Sequence, residues 1–451
     1  MSKRFSIFIT ILALVLAPLS TIAATRMSPN AMETNSIPGP TGTFGSAFTI
    51  QNLSNNIANC SYQFFDTTGT VVYTSASFQI PAQGSTFTYV PNISGFASGQ
   101  YSSLVACDQP VAAIVNTTSA NSAGSYDGVS NPGTTWYAPN AFNNYYNYYT
   151  NFVVQNATGS PVDMTLQALD ASGNVVATQT ASSVPAYSYH NFDQTGLSGL
   201  ISNTVYSAKI TGTGAVAVEA NIYGQGSAVN QLYSYTPFTS GSKTAYAPVI
   251  MNNYFGYLTA LTVQNMGGST ANVTVTYGTG LIQSQSISPN SSYVFYTPNT
   301  TLPSGTLTSA MISSDQNIVA LVNESNSHDR AASYSAFASG ATTVSAPIVL
   351  RRYFHYSTSV TCQNIGTSST NMTIKYSNAA TSTQTNIPQN GTALFYQPND
   401  SGIPDGFNGS ATITSSSQPI ICIVNEDQNE GTYATTSFDQ LLSYEGIGLN
   451  P

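Results

Sequence analysis

The chain has 451 residues and a net charge of −9, and only 6% of its residues are charged, against about 25% in an average soluble domain. An acidic, charge-poor surface excludes nucleic acid as a partner, since that needs a basic face. Hydrophobic residues at 41% and aromatics at 11% exclude disorder and supply core for several domains.

Lys3 and Arg4 precede an apolar run from Phe5 to Leu19, and small residues follow to Ala23 and Ala24. This order is that of a secretory signal peptide, expected over 1–24 with cleavage near Ala23 or Ala24. No later stretch is apolar for long enough to cross a bilayer as a helix, so no transmembrane segment is expected after cleavage. Residues 25–42 are turn-rich and form an N-terminal arm. The arm can hang free or pair with an edge strand of a neighbouring subunit.

From there the sequence repeats. Gln-Asn ends an apolar alternating segment at Gln51-Asn52, Gln155-Asn156, Gln264-Asn265 and Gln363-Asn364. A second apolar run ends in Asn116, Asn221, Asn323 and Asn425, and a turn proline lies between the two at Pro81, Pro185, Pro289 and Pro388. An aromatic strand follows that proline and runs into Tyr89-Val-Pro91-Asn92, Tyr296-Thr-Pro298-Asn299 and Tyr396-Gln-Pro398-Asn399; the second copy departs there. The later copies open on Ala138-Pro139, Ala247-Pro248 and Ala346-Pro347, and all four close on Ser-Tyr at Ser125, Ser234, Ser333 and Ser443.

Alternation such as Val273/Val275/Tyr277 around Thr274 and Thr276 has the period of half-buried strands. Seven or eight such strands in about 100 residues predict an antiparallel sandwich. The expected fold is all-β, with four tandem Ig-like antiparallel β-sandwich domains over 43–133, 134–242, 243–342 and 343–451.

The repeated Gln-Asn pairs are expected to bond turn backbone rather than ligand. Cys362 and Cys422 lie in the two anchor strands of copy four, and an inter-sheet bridge between them is expected; Cys60 and Cys107 are candidates within copy one. The alternative is buried thiols packed as small hydrophobes. Tyrosine clusters at Tyr145, Tyr146, Tyr148 and Tyr149, at Tyr254 and Tyr257, and at Tyr353 and Tyr356 are the binding candidates. Their rings suit sugar stacking, or packing between successive domains.

The sequence holds no metal-spaced histidine pair, nucleophile elbow, phosphate loop or dinucleotide fingerprint. No catalytic residue, metal or cofactor is assigned. The weak exception is calcium near Glu426, Asp427 and Glu430, an oxygen-rich loop.

Taken together, Ala-Pro, the aromatic cluster, Val-Gln-Asn, Ile-Pro and the Ser-Tyr closure resemble tandem sandwich repeats of exported bacterial surface proteins of the Chloroflexi type. The third copy carries the resemblance best, from Tyr246-Ala-Pro248 through Val263-Gln264-Asn265 to Ser333-Tyr334. It implies an extracellular structural role: a subunit of a surface layer, sheath, fibre or adhesive stalk that associates with itself or with other envelope components. The alternative is a glycan-binding adhesin using exposed tyrosines, and a more remote one is a secreted hydrolase.

Overall fold

The computed structural model describes residues 23–27, 43–195, 197–225, 230–326, 329–428 and 438–449. The apolar run of the signal sequence and most of the arm lie outside them. The described chain is antiparallel β-structure with three short 3-10 turns and no α-helix. These turns, at Val90–Asn92, Thr297–Asn299 and Gln397–Asn399, are the three Pro-Asn sites after the aromatic strands.

Copy four shows the plan. One sheet runs in the order Thr381–Ile387, Thr370–Tyr376, Phe407–Ser415, opening strand Thr343–Arg351 and Ile447–Gly448. The other runs aromatic strand Thr392–Tyr396, anchor strand Tyr356–Asn364, inner strand Ile420–Gln428 and closing strand Leu441–Glu445. Copy one has the same second sheet, with Ser85–Tyr89, Gly45–Asn52, Val111–Thr118 and Ala123–Asp127 in the corresponding places.

Copies two and three differ in one respect. A single strand, Thr306–Ser325, serves both sheets of copy three, and Tyr206–Gly224 does the same in copy two. Thr306–Ser325 pairs with Ala271–Tyr277 up to Ser314 and with the anchor strand Tyr257–Asn265 from Ile318. The polar step between, Asp315-Gln316-Asn317, carries the chain from one sheet to the other without a break.

The repeats do not stand in a row. Closing strand Ala123–Asp127 packs beside Leu232–Tyr235, that beside Ala331–Ser335, and that beside Leu441–Glu445, which returns to Ala123–Asp127. The four copies therefore close into a ring around these strands. The sequence implies sandwiches that each complete their own interior, and the structure corrects this. Leu321 and Ala331 of copy three belong to the core of copy two, Ile423 of copy four to that of copy three, and Ile114 of copy one to that of copy four. Each such side chain contributes about 1.5–3 kcal/mol by burial, and none can be buried without the neighbouring copy.

Residues 23–27 pair along Cys107 to Ser103. They occupy the place beside the return strand Ser102–Cys107 that Gly133–Ala141, Ser242–Tyr254 and Thr343–Arg351 take in the later copies. Thr25 to Met27 of the arm, together with Ala23 and Ala24 of the expected cleavage site, thus lie on the chain's own first sheet.

Candidate functional site

The repeated polar residues do two jobs. Each anchor asparagine fixes its own turn. Asn52 Nδ2 donates to the carbonyls of Asn56, Ile80 and Pro81 while its Oδ1 accepts from Ser54 N. Asn156, Asn265 and Asn364 repeat the pattern. The glutamine beside it reaches out of the repeat. Gln155 Nε2 donates to Ser103 O at 3.2 Å, Gln264 to Ala208 O at 3.5 Å and Gln363 to Ala310 O at 3.4 Å. Gln51 closes the circle on Ser345 of copy four. The expected turn role thus belongs to the asparagines, and the glutamines join the copies.

The axis is sealed the same way. Ser125, Ser234, Ser333 and Ser443 each donate to the Oδ1 of Asn116, Asn221, Asn323 and Asn425 at 2.6–2.8 Å. Asn425 Nδ2 donates to Glu324 Oε2 at 2.7 Å and Asn116 Nδ2 to Glu426 Oε1 at 3.4 Å, each from one copy to the one before it. Glu219, Glu324 and Glu426 are buried, and burial pushes each carboxyl up to about 8. At one end of the axis Asp439, fully buried, accepts from the backbone N–H of Leu232, Ala331 and Leu441 and donates its own N–H to Asn121 O. One residue thereby touches all four copies.

Copies two to four each carry a two-residue hairpin between opening and anchor strands. The loop residues Tyr146-Asn147, Phe255-Gly256 and Phe354-His355 all have positive φ, from 48° to 84°, as a type I′ turn requires. Asn and Gly suit that turn. A bulky aromatic at its first position is strained by about 1–3 kcal/mol. These first-position rings are 70%, 84% and 74% exposed.

The tyrosines expected to bind are mostly not free. Tyr257 Oη donates to Asp427 Oδ2 of copy four at 2.9 Å, and Tyr148 and Tyr356 donate to Gln231 and Gln440. Tyr149 stacks on Tyr223 in a small cluster with Phe44 of copy one. Tyr145, Tyr254 and Tyr353 are half-buried hairpin residues, each edge-on to the tip aromatic that follows it. Tyr146 is the one named tyrosine that stands out in solvent. Its equivalents in the aromatic clusters of copies three and four are Phe255 and Phe354, which carry no phenol.

Between copies three and four lies a cavity of about 540 Å³. Tyr254, Phe255 and Tyr257 line it from copy three, and Ser357, Ser359 and Tyr396 from copy four. At its inner end Arg330 Nε meets Asp427 Oδ1 at 2.8 Å, and the guanidinium also donates to the carbonyls of Phe438 and Gln428.

The cysteines form two disulfides, Cys60–Cys107 and Cys362–Cys422. Each joins directly paired strands of one sheet, since Cys60 faces Cys107 and Cys362 faces Cys422 in register. The expected inter-sheet bridge for 362–422 is therefore an intra-sheet one. Glu426 is bonded to Asn116, Asp427 to Arg330 and Tyr257, and Glu430 lies outside the described residues. Among the described residues no group of three His, Cys, Asp or Glu could hold a metal ion.

No family model matches the sequence, and no curated protein is similar to it. Among solved structures, a crystal structure of Thermotoga maritima 1070 aligns over 22% of this chain and 94% of its own, at 19% identity and a TM-score of 0.20. A tetra-tandem repeat from the extending region of a large adhesion protein aligns over 95% of this chain and 100% of its own, at 14% identity and a TM-score of 0.12. Alpha-2-macroglobulin of E. coli aligns over 90% of this chain and 28% of its own, at 7% identity and a TM-score of 0.12. Likeness at these scores carries no argument about what the chain does.

Proposed function

We propose that this chain is an exported, non-catalytic structural or adhesive protein of the cell surface. Its working unit is the ring of four β-sandwich copies over 43–133, 134–242, 243–342 and 343–451. The observation that carries this reading is the use of the repeated polar groups. The anchor glutamines and asparagines, the closing serines and the buried glutamates all bond turns or neighbouring copies. A protein whose polar side chains serve its own architecture is built to hold shape. Two disulfides support an oxidising compartment outside the cytosol, as does the basic-apolar-small order of the first 24 residues. The sequence resemblance to Chloroflexi-type surface repeats agrees with both.

The ring alters what such a protein presents. A stalk of beads would lengthen with each copy, whereas this unit is closed and offers rims and faces. Cell fractionation and negative-stain microscopy of the mature protein test the reading. An envelope fraction containing ring-shaped particles, single or in arrays, is expected. A cytosolic protein, or a protein that stays monomeric at high concentration with no envelope fraction, would remove it.

A further inference from the structure

We infer that the cavity between copies three and four is a binding site for a neutral saccharide, with room for one or two pyranose rings. This deepens the adhesive reading and rests on it in one respect, that the bound ligand is held and not cleaved.

Ser357 lines the cavity at a position that varies among the copies. That position lies seven residues before the anchor asparagine. It is Tyr149 in copy two and Leu258 in copy three, but Ser357 in copy four. Tyr149 fills its junction by stacking on Tyr223. In copy one the position is Gly45, and Tyr89 and Pro91 close over it, within 3.1 Å of where a Cβ would stand. In copy four the small Ser357 stands against the cavity. The cavity volume of about 540 Å³ falls within the range of about 300–1,000 Å³ of small-molecule sites.

The copy-four wall is mixed, with Leu394, Tyr396 and Leu441 beside a row of hydroxyls. The row runs from Ser357 through Ser359 and Thr361 along one strand. At the same positions copy three has Leu258, Ala260 and Thr262, and copy two has Tyr149, Asn151 and Val153. The run of three hydroxyls is therefore peculiar to this junction. Opposite stand the aliphatic floor of Val249 and Met251 and the aromatic lip of Tyr254 and Phe255. A ligand between them needs one apolar face and an edge of hydroxyl groups. A pyranose ring has both: axial C–H bonds for the aromatic wall and equatorial hydroxyls for the serine ladder.

The ligand should be uncharged. Arg330 and Asp427 neutralise each other at the inner end, and backbone carbonyls take further donors of the guanidinium. A charged sugar would be desolvated there without a free counter-ion. The lip adds a second argument. Phe255 holds a turn position that Asn would hold without strain, and it is 84% exposed at the mouth of the cavity. Tyr146 and Phe354 hold the same strained position, so the strain belongs to the repeated hairpin, and what is particular to Phe255 is that its ring lines the cavity.

The test is saturation-transfer NMR and titration calorimetry on the mature protein. The probes are maltose, cellobiose and N,N′-diacetylchitobiose at up to ~10 mM, with glucuronic acid as the charged control. Binding of at least one neutral disaccharide is expected, with no binding of the control. Ser357→Tyr places in copy four the residue copy two already carries there, and it should abolish binding while the fold is kept. Phe255→Asn should raise the melting temperature and weaken binding at least five-fold, opposite signs that a purely structural ring would not give. No transfer to any neutral probe, binding unchanged by Ser357→Tyr, or preference for glucuronic acid would each overturn the site. Failure on any of these leaves the ring and its envelope location standing. Release of monosaccharide from a bound probe would instead uphold the site and overturn the non-catalytic reading.

Discussion

Glu324 offers a direct measure of how the ring is held. It is 0% exposed, accepts from Asn425 of the next copy through Oε2, and its Oε1 has no hydrogen-bond partner among the described residues. Burial raises its carboxyl from 4.5 to about 8, and the Asn425 bond opposes this only in part. The folded protein therefore keeps a proton that the unfolded chain loses. Below pH 4.5 both states are protonated and the group has no effect on the pH slope. From pH 4.5 to 8 stability falls by about 1.4 kcal/mol per pH unit, reaching about 3 kcal/mol at pH 7, and the loss stops above pH 8. Glu324→Gln removes the titration and keeps a carbonyl oxygen for Asn425. Its amide also brings a donor to the unpartnered side, a penalty of about 1–3 kcal/mol that does not vary with pH. The signature is thus a slope. Urea unfolding at pH 4.5, 6, 7 and 8 should show the variant gaining about 3 kcal/mol on the wild type between pH 4.5 and 7. Parallel stability curves would refute the protonated, buried carboxyl.

Three further outcomes follow from the same structure. Asp439→Ala leaves the N–H groups of Leu232, Ala331 and Leu441 without their acceptor, and chemical denaturation should show a loss of at least ~3 kcal/mol. Serine replacements of Cys362 and Cys422, which close a 60-residue separation, should lower stability by up to about 4 kcal/mol, read as a fall in melting temperature that reducing agent does not extend for that bridge. Calorimetry of the intact protein should give one cooperative transition, with Ile423→Ala lowering it by about 2–4 kcal/mol; separate transitions for separate copies would show that the shared cores do not couple them.

Much of the fold was legible because the strand signal is local. The run Val273/Val275/Tyr277 is buried on alternate residues as its period implies, and the strands of copy three fall within a few residues of where the alternation puts them. The ring was not legible, and the reason lies in the anchor strands. Thr49 and Gln51, or Thr262 and Gln264, alternate with apolar residues and read as a wet face, yet they are buried. Their far side packs on another copy, and nothing in a period of two distinguishes water from a neighbouring sheet. The burial of Glu219, Glu324 and Glu426 was not legible for the same reason, since glutamate within two residues of the inner asparagine reads as a solvated strand end. The cavity was half visible. Tyr254 and Tyr257 were among the candidates, but Ser357 carries no signal until its equivalents are seen to fill their junctions.

The departures from repetition say more about use than the repeats do. Two before the inner asparagine, Ile114, Leu321 and Ile423 each enter a neighbour's core, but copy two has Glu219. It lies close enough to Tyr126 of copy one to raise that phenol further after burial, and Glu219 Oε2 and Tyr126 Oη both lack partners among the described residues. Copy one is also where the opening strand comes from 23–27, across a stretch of chain, in place of a contiguous Ala-Pro strand. At this position the junction of copies one and two thus has a polar group where the other three junctions have an aliphatic one. A closed ring has as many junctions as copies, and opening it exposes both faces of one junction. Opening it beside Glu219 would hydrate that carboxyl and the Tyr126 phenol, but it would also break up the apolar cluster of Phe44, Tyr149, Tyr223 and Leu232.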